Sequence, residues 1–199
     1  MDNITKGQVI SGEFGKILVR QKSNQKLELG ELLIADTSDG KILMQVFDLI
    51  YGSQISQQNL ELISGFSLED NKNFDFMDPN LRNYMLARLK SLAAIKNNKA
   101  FVSKQMPNFF SEVREVAKND LTFLTKPENP LFIGNLRSGS KILDVPIYLQ
   151  GNQVLSHHIL IAGTTGRGKS VLVSNILWSA VDEDYCGMLV LDPHDEYYG

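Results

Sequence analysis

Eight consecutive residues, Gly163-Thr164-Thr165-Gly166-Arg167-Gly168-Lys169-Ser170, match the pattern G-x-x-x-x-G-K-[ST] at every fixed position. The chemistry open to this set is narrow. Triphosphate oxygens are wrapped by main-chain amides, so glycine is needed where a Cβ would collide or where φ must be positive. A helix opening directly from the loop adds unpaired amides and a dipole that favours the anion. Lys169 then brings a mobile point charge to the β and γ phosphates, and Ser170 offers its hydroxyl to Mg2+. The expected binding set for ATP and Mg2+ is Gly163 through Ser170 with Val171, Lys169 also serves catalysis, and Ser170 is the metal ligand.

A second constellation follows at Asp192-Pro193-His194-Asp195-Glu196-Tyr197. An aspartate at the C-terminal end of a buried parallel strand sits where α/β sheets bind ligands. Asp192 and Glu196 are therefore candidate catalytic acids, although both could instead cap the turn that follows. His157 and His158 stand just before the loop. Adjacent residues of a strand point to opposite faces, which argues against their sharing a metal.

The elements that must hold these residues are legible around them. His158 to Ala162 is a short apolar run suited to a buried parallel strand. From Ser170 the pattern is helical, with Val171, Leu172, Asn175, Ile176 and Trp178 turned mostly toward a sheet. Met188 to Leu191 predicts a second buried strand. Strand, glycine loop, helix and strand make the βαβ context that the loop requires.

Upstream, from Gly7 to about Ser64, short strands alternate with turn residues, and Asp39-Gly40 is a strong hairpin signal. Such spacing suggests a small antiparallel barrel. Asp78-Pro79 has the form of a helix start. Leu81, Met85, Leu89, Leu92 and Ala93 recur at helical spacing to about Lys96, and Phe109 to Lys118 reads as a shorter helix, giving a helical segment over 78–118. Pro and Gly accumulate between Pro127 and Gly139, the best candidate for a domain junction. Val145 to Leu149 follows as an edge strand because Pro146 cannot donate to a ladder. The predicted fold class is α+β, with a barrel domain over 1–138 and the first βαβ unit of a RecA-like P-loop domain over 139–199.

Bulk properties narrow the function. The 199 residues are 43% apolar and 22% charged, with a net charge of −3. No global positive field advertises nucleic-acid binding, though a ring can keep basic residues in its channel. One cysteine, Cys186, excludes an intramolecular disulfide framework and a Cys-based zinc site. No apolar run of about eighteen residues is present, so no membrane span is expected and a cytoplasmic location follows by default.

The run Ser156 to Ser170, followed by Val190-Leu191-Asp192-Pro193-His194-Asp195-Glu196-Tyr197, resembles the HerA branch of the HerA/FtsK ATPases, which show a His before the P-loop strand and an Asp-Pro-His-x-Glu-Tyr segment after the next one. The close match covers about a fifth of the chain. The resemblance implies a homo-hexameric motor that pumps double-stranded DNA, works with a nuclease (NurA-like or another effector) in DNA repair or antiviral defence, and carries an N-terminal HAS barrel. Many family members carry an arginine at the position of His157, and Arg167 replaces a commoner small residue. The family's Walker B glutamate and arginine fingers lie further downstream, so the chain reads as a fragment unable by itself to hydrolyse ATP efficiently. Two other readings stay open: a conjugation or secretion ATPase of the same superfamily, and a non-catalytic barrel docking module with a nucleotide-binding stub.

Overall fold

The computed structural model describes residues 4–70 and 83–197. The chain divides into two compact units, Met1–Ala117 with Ser138–Ser140, and Lys118–Arg137 with Lys141–Gly199. Residues 118–137, read from sequence as the end of the barrel domain, belong to the second unit.

The first unit is built on seven strands: β1 (Thr5–Glu13), β2 (Lys16–Gln21), β3 (Leu32–Thr37), β4 (Gly40–Ser53), β5 (Asn83–Lys96), β6 (Lys99–Phe101) and β7 (Glu112–Glu115). The order β2-β1-β7-β3-β4-β5 closes through pairing of β2 with β5, so six strands form an antiparallel barrel, and β6 extends the β5 edge. Closure leaves no free edge among the six. Alternation fills the interior: Val9, Ile17, Val19, Leu33, Met44, Val46, Ala87, Leu89 and Val113 form one buried cluster. Register shifts in the β1–β2 and β4–β5 pairings supply the local bends that a small barrel needs. The Asp39-Gly40 hairpin forms as the sequence predicts, with Thr37 opposite Gly40.

Charged groups are buried in this unit, among them Lys6. Lys6 Nζ donates to the carbonyl of Lys26 at 2.9 Å and pairs with Glu31 Oε1 at 3.2 Å and Glu115 Oε1 at 3.0 Å. All three ammonium hydrogens thus have acceptors. Burial works to lower the Lys6 pKa, but the bonds to Glu115 and Glu31 outweigh it and leave it raised.

Three sequence expectations fail here. The helical stripe expected down to Lys96 is strand β5, paired with β2 on one side and β4 on the other; its start at 78–82 lies outside the described residues. Met85 and Leu89 are four apart, and four is an even number, so they share a face in a strand as well as in a helix. Leu92 separates the two cases: it is 45% exposed and is the residue skipped where the β4–β5 register shifts between Ser91 and Ala93. Asn97-Asn98, just past the expected end of that stripe, is a two-residue turn with both φ values positive, the geometry that favours asparagine between paired strands. The shorter helix expected over Phe109 to Lys118 is replaced by β7, where Val113 is fully buried between β1 and β3. Among the described residues this unit instead has the helix α1 (Gln57–Asp70), which begins inside the stretch read as strands to Ser64.

The second unit holds a two-stranded sheet of β8 (Pro130–Ser138) and β9 (Lys141–Gln150), the short α2 (Gly151–Val154) and α3 (Lys169–Val181). Much of the expected Pro/Gly junction is therefore strand β8. Pro146 sits in β9, an edge strand as expected. The carboxyl end of α3 is tied to β8, since Ser179 Oγ accepts from Phe132 N at 2.7 Å, and Tyr185 Oη donates to the Pro130 carbonyl at 3.1 Å.

The two apolar runs expected as buried parallel strands are not strands here. Residues 158–162 and 188–191 have no regular secondary structure and no ladder partners, and Leu160, Leu189 and Leu191 are largely exposed. A strand exists only through its neighbours' hydrogen bonds, and no described strand lies beside either run. The helix between them forms regardless, because its hydrogen bonds are internal.

Candidate nucleotide-binding site

The glycine loop is positioned from its C-terminal side. Helix α3 starts at Lys169, and its N-cap is Gly168, with φ +80. Gly166 has φ +77. Both angles lie in the left-handed region that costs other residues strain, which is why glycine stands at these two positions. A tight turn closes the loop, with the Arg167 amide donating to the Thr164 carbonyl at 3.3 Å, and the first helical bond runs from Leu172 N to the Gly168 carbonyl at 3.0 Å. Among the described residues, the amides of Gly166, Gly168, Lys169 and Ser170 donate to no protein acceptor. They remain available to an anion at the positive end of α3.

Lys169 folds back across the loop, and its Nζ donates to the Thr164 carbonyl at 3.1 Å. Gly163 makes room for that path: a Cβ there would sit 3.3 Å from Lys169 Cγ. Thr164, Thr165, Arg167 and Val171 are exposed around the same turn. Geometry thus gathers all nine expected phosphate-site residues, Gly163 through Val171, into one loop and first helical turn.

The acidic segment contributes unequally. Ser170 Oγ donates to Glu196 Oε2 at 2.6 Å, a short bond of the kind formed to an ionised carboxylate. Asp192 turns inward on its own segment, where its Oδ2 accepts from Tyr197 N at 2.8 Å. That amide is the main influence holding the Asp192 pKa below its ordinary value; slight burial opposes it, and the amides of Glu196, His194 and Asp195 add to it. So Asp192 shapes the turn and Glu196 reaches the loop. Nothing in the residue spacing announced the Ser170–Glu196 bond, since the two are 26 positions apart.

The histidines stay apart from this chemistry. His157 Nδ1 donates to the Gln153 carbonyl at 2.8 Å, and His194 is exposed. No group of three or more His, Cys, Asp or Glu fit to hold a metal occurs among the described residues. Cys186 is free and only partly buried. Beside the acidic segment, Ser174, Trp178, Val181, Val190, Asp192 and Tyr197 line a groove of about 350 Å3. No described helix is long and apolar enough to cross a membrane.

A glycine loop opening into a helix, with a lysine and a hydroxyl at its mouth, defines the P-loop class of chain segment. Residues 131–199 match the family model for the central domain of the helicase HerA. An uncharacterized protein of Aquifex aeolicus is 35% identical over 72 residues, which is 36% of this chain and 25% of that protein. The DNA translocase FtsK of Shewanella oneidensis is 26% identical over 179 residues, covering 86% of this chain and 18% of FtsK. The DNA double-strand break repair helicase HerA of Pyrococcus furiosus is 25% identical over 181 residues, covering 86% of this chain and 30% of HerA. The chain is thus similar to members of the HerA/FtsK superfamily, most sharply over its P-loop segment. It spans between about a fifth and a third of the length of these relatives, and its likeness to two of them reaches beyond the P-loop segment into the barrel.

Proposed function

We propose that the loop from Gly163 to Val171 binds the phosphates of ATP with Mg2+, and that this chain is the nucleotide-binding front of a HerA-like motor that moves double-stranded DNA. The observation that carries the reading is the set of unengaged amides at Gly166, Gly168, Lys169 and Ser170, converging at the start of α3. The residues fit the ligand. Gly163 leaves the path of Lys169 open, and the Lys169 ammonium can exchange its bond to the Thr164 carbonyl for the outer phosphates. The Ser170 hydroxyl spends its proton on Glu196 and keeps its lone pairs for Mg2+. Bound Mg2+ would neutralise charge on the β and γ phosphates.

The remaining steps belong to the whole protein. In this reading the six-stranded barrel is the HAS-type assembly domain, the motor works as a homo-hexamer, and a nuclease docks on it during DNA end processing or defence. Residues 158–162 and 188–191 take up strand partners in the complete motor. Likeness to proteins named as a translocase and a repair helicase supports the assignment. The test is ATP turnover by the full-length protein with and without duplex DNA. Stimulation by duplex is expected; equal rates would remove the translocase assignment.

A further inference from the structure

The acidic segment carries one contact that loop geometry does not require. Glu196 lies 26 residues from Ser170 in sequence, yet its carboxylate accepts the Ser170 hydroxyl proton at 2.6 Å. The segment that delivers it is internally fixed. Asp192 Oδ2 holds the Tyr197 amide at 2.8 Å, the Asp195 amide approaches the Asp192 carbonyl at 3.5 Å, and Asp195 adopts φ +57. A carboxylate presented in this way does two things to the hydroxyl. It consumes the single donor, so that both oxygen lone pairs stay available to a cation. It also places a negative charge beside the oxygen, which favours Mg2+ and disfavours a bare phosphate.

We propose that Glu196 is a positioning residue for the metal: it orients the Ser170 hydroxyl toward Mg2+ and makes nucleotide binding depend on the metal. The inference rests on the phosphate-site reading above and adds that the Asp192–Tyr197 turn is part of the metal site. Glu196 is not a catalytic base in this assignment, because its carboxylate is committed to Ser170. Asp192 acts one step further back, by holding the turn.

The experiment uses the full chain with a fluorescent N-methylanthraniloyl-ADP probe, titrated with Mg2+ and separately in EDTA. Glu196→Gln keeps an acceptor for the hydroxyl but loses the charge, and Glu196→Ala loses both. The expected half-saturating Mg2+ concentration rises several-fold for Glu196→Gln and about ten- to a hundredfold for Glu196→Ala, the range typical of lost outer-shell partners. In EDTA both variants should bind the probe at least as well as the unsubstituted chain, since a carboxylate has left the phosphate site. Opposite movement with and without metal is something a merely structural role would not produce. Trp178, the single tryptophan and a neighbour of the segment, reports by its emission whether the turn is intact. An unchanged Mg2+ requirement in both variants, with the probe still lost in Lys169→Ala, overturns the role of Glu196 and leaves the phosphate site standing. Failure of the unsubstituted chain to bind the probe with Mg2+ overturns both.

Discussion

Lys169 Nζ donates to the Thr164 carbonyl at 3.1 Å, so the P-loop lysine spans its own loop and satisfies an acceptor five residues back. A phosphate entering the loop competes with that carbonyl for the same ammonium. Charge-assisted bonds contribute about 1.5–3 kcal/mol each, so the anion wins once it is cradled by the free amides.

Lys169→Ala should therefore weaken ATP binding by about one to two orders of magnitude. The fold should persist, because the ammonium and its partner are exposed. Calorimetric titration with ATP and Mg2+, beside a circular dichroism spectrum, checks both halves. Unchanged affinity would remove the site as drawn.

Gly168→Ala isolates backbone strain. An added Cβ would meet nothing within 4 Å, so the only cost is φ +80 for an L residue, about 1–2 kcal/mol. The entry to α3 should loosen and ATP affinity should fall roughly tenfold. Hydrogen exchange at the first turn of α3, compared with that at its C-terminal end, reads the effect. Uniform exchange rates would count against the prediction.

Leu89 and Leu92 test the strand assignment of β5. Leu89 is fully buried in the barrel and Leu92 is 45% exposed. Leu89→Ala should destabilise by about 3 kcal/mol, whereas Leu92→Ala should stay below about 1 kcal/mol. Denaturant unfolding measures both. Equal losses would favour the helical stripe that spacing first suggested.

Lys6 offers a test at alkaline pH. Its folded pKa is raised above the ordinary 10.5, so its contribution is fully present below 10.5 and is lost as pH climbs through the higher folded value. Lys6→Met leaves Glu31 buried without its cation, at a cost of about 3 kcal/mol. The variant should also lose the alkaline step in a plot of unfolding midpoint against pH. A step that survives the substitution would assign it to another group.

Asp192 has the opposite sign. Its folded pKa lies below the ordinary 3.8, held there mainly by the Tyr197 amide. The stabilisation is present above the unfolded value and disappears as pH falls through the lower folded one. Proteolysis of the 192–197 turn should accelerate only in that acid window, and Asp192→Asn should abolish the pH dependence. Acceleration that begins near neutrality would point elsewhere.

The sequence by itself determined what depends on local geometry. Two glycines, a lysine and a serine at fixed spacing specify a left-handed loop running into a helix, and α3 forms from its own internal bonds. Asp39-Gly40 set the β3–β4 hairpin in the same way. Tertiary structure decided whatever depends on partners distant in the chain. The four-residue spacing of Met85 and Leu89 suits two periods, and only pairing of β5 with β2 and β4 chose between them. Val113 lies between strands more than a hundred and nearly eighty residues away in sequence. The bond from Ser170 to Glu196 belongs to this second kind. Each residue type was legible as chemistry, but their meeting depends on how the chain turns after Asp192, and local propensity carries no term for a contact 26 residues apart.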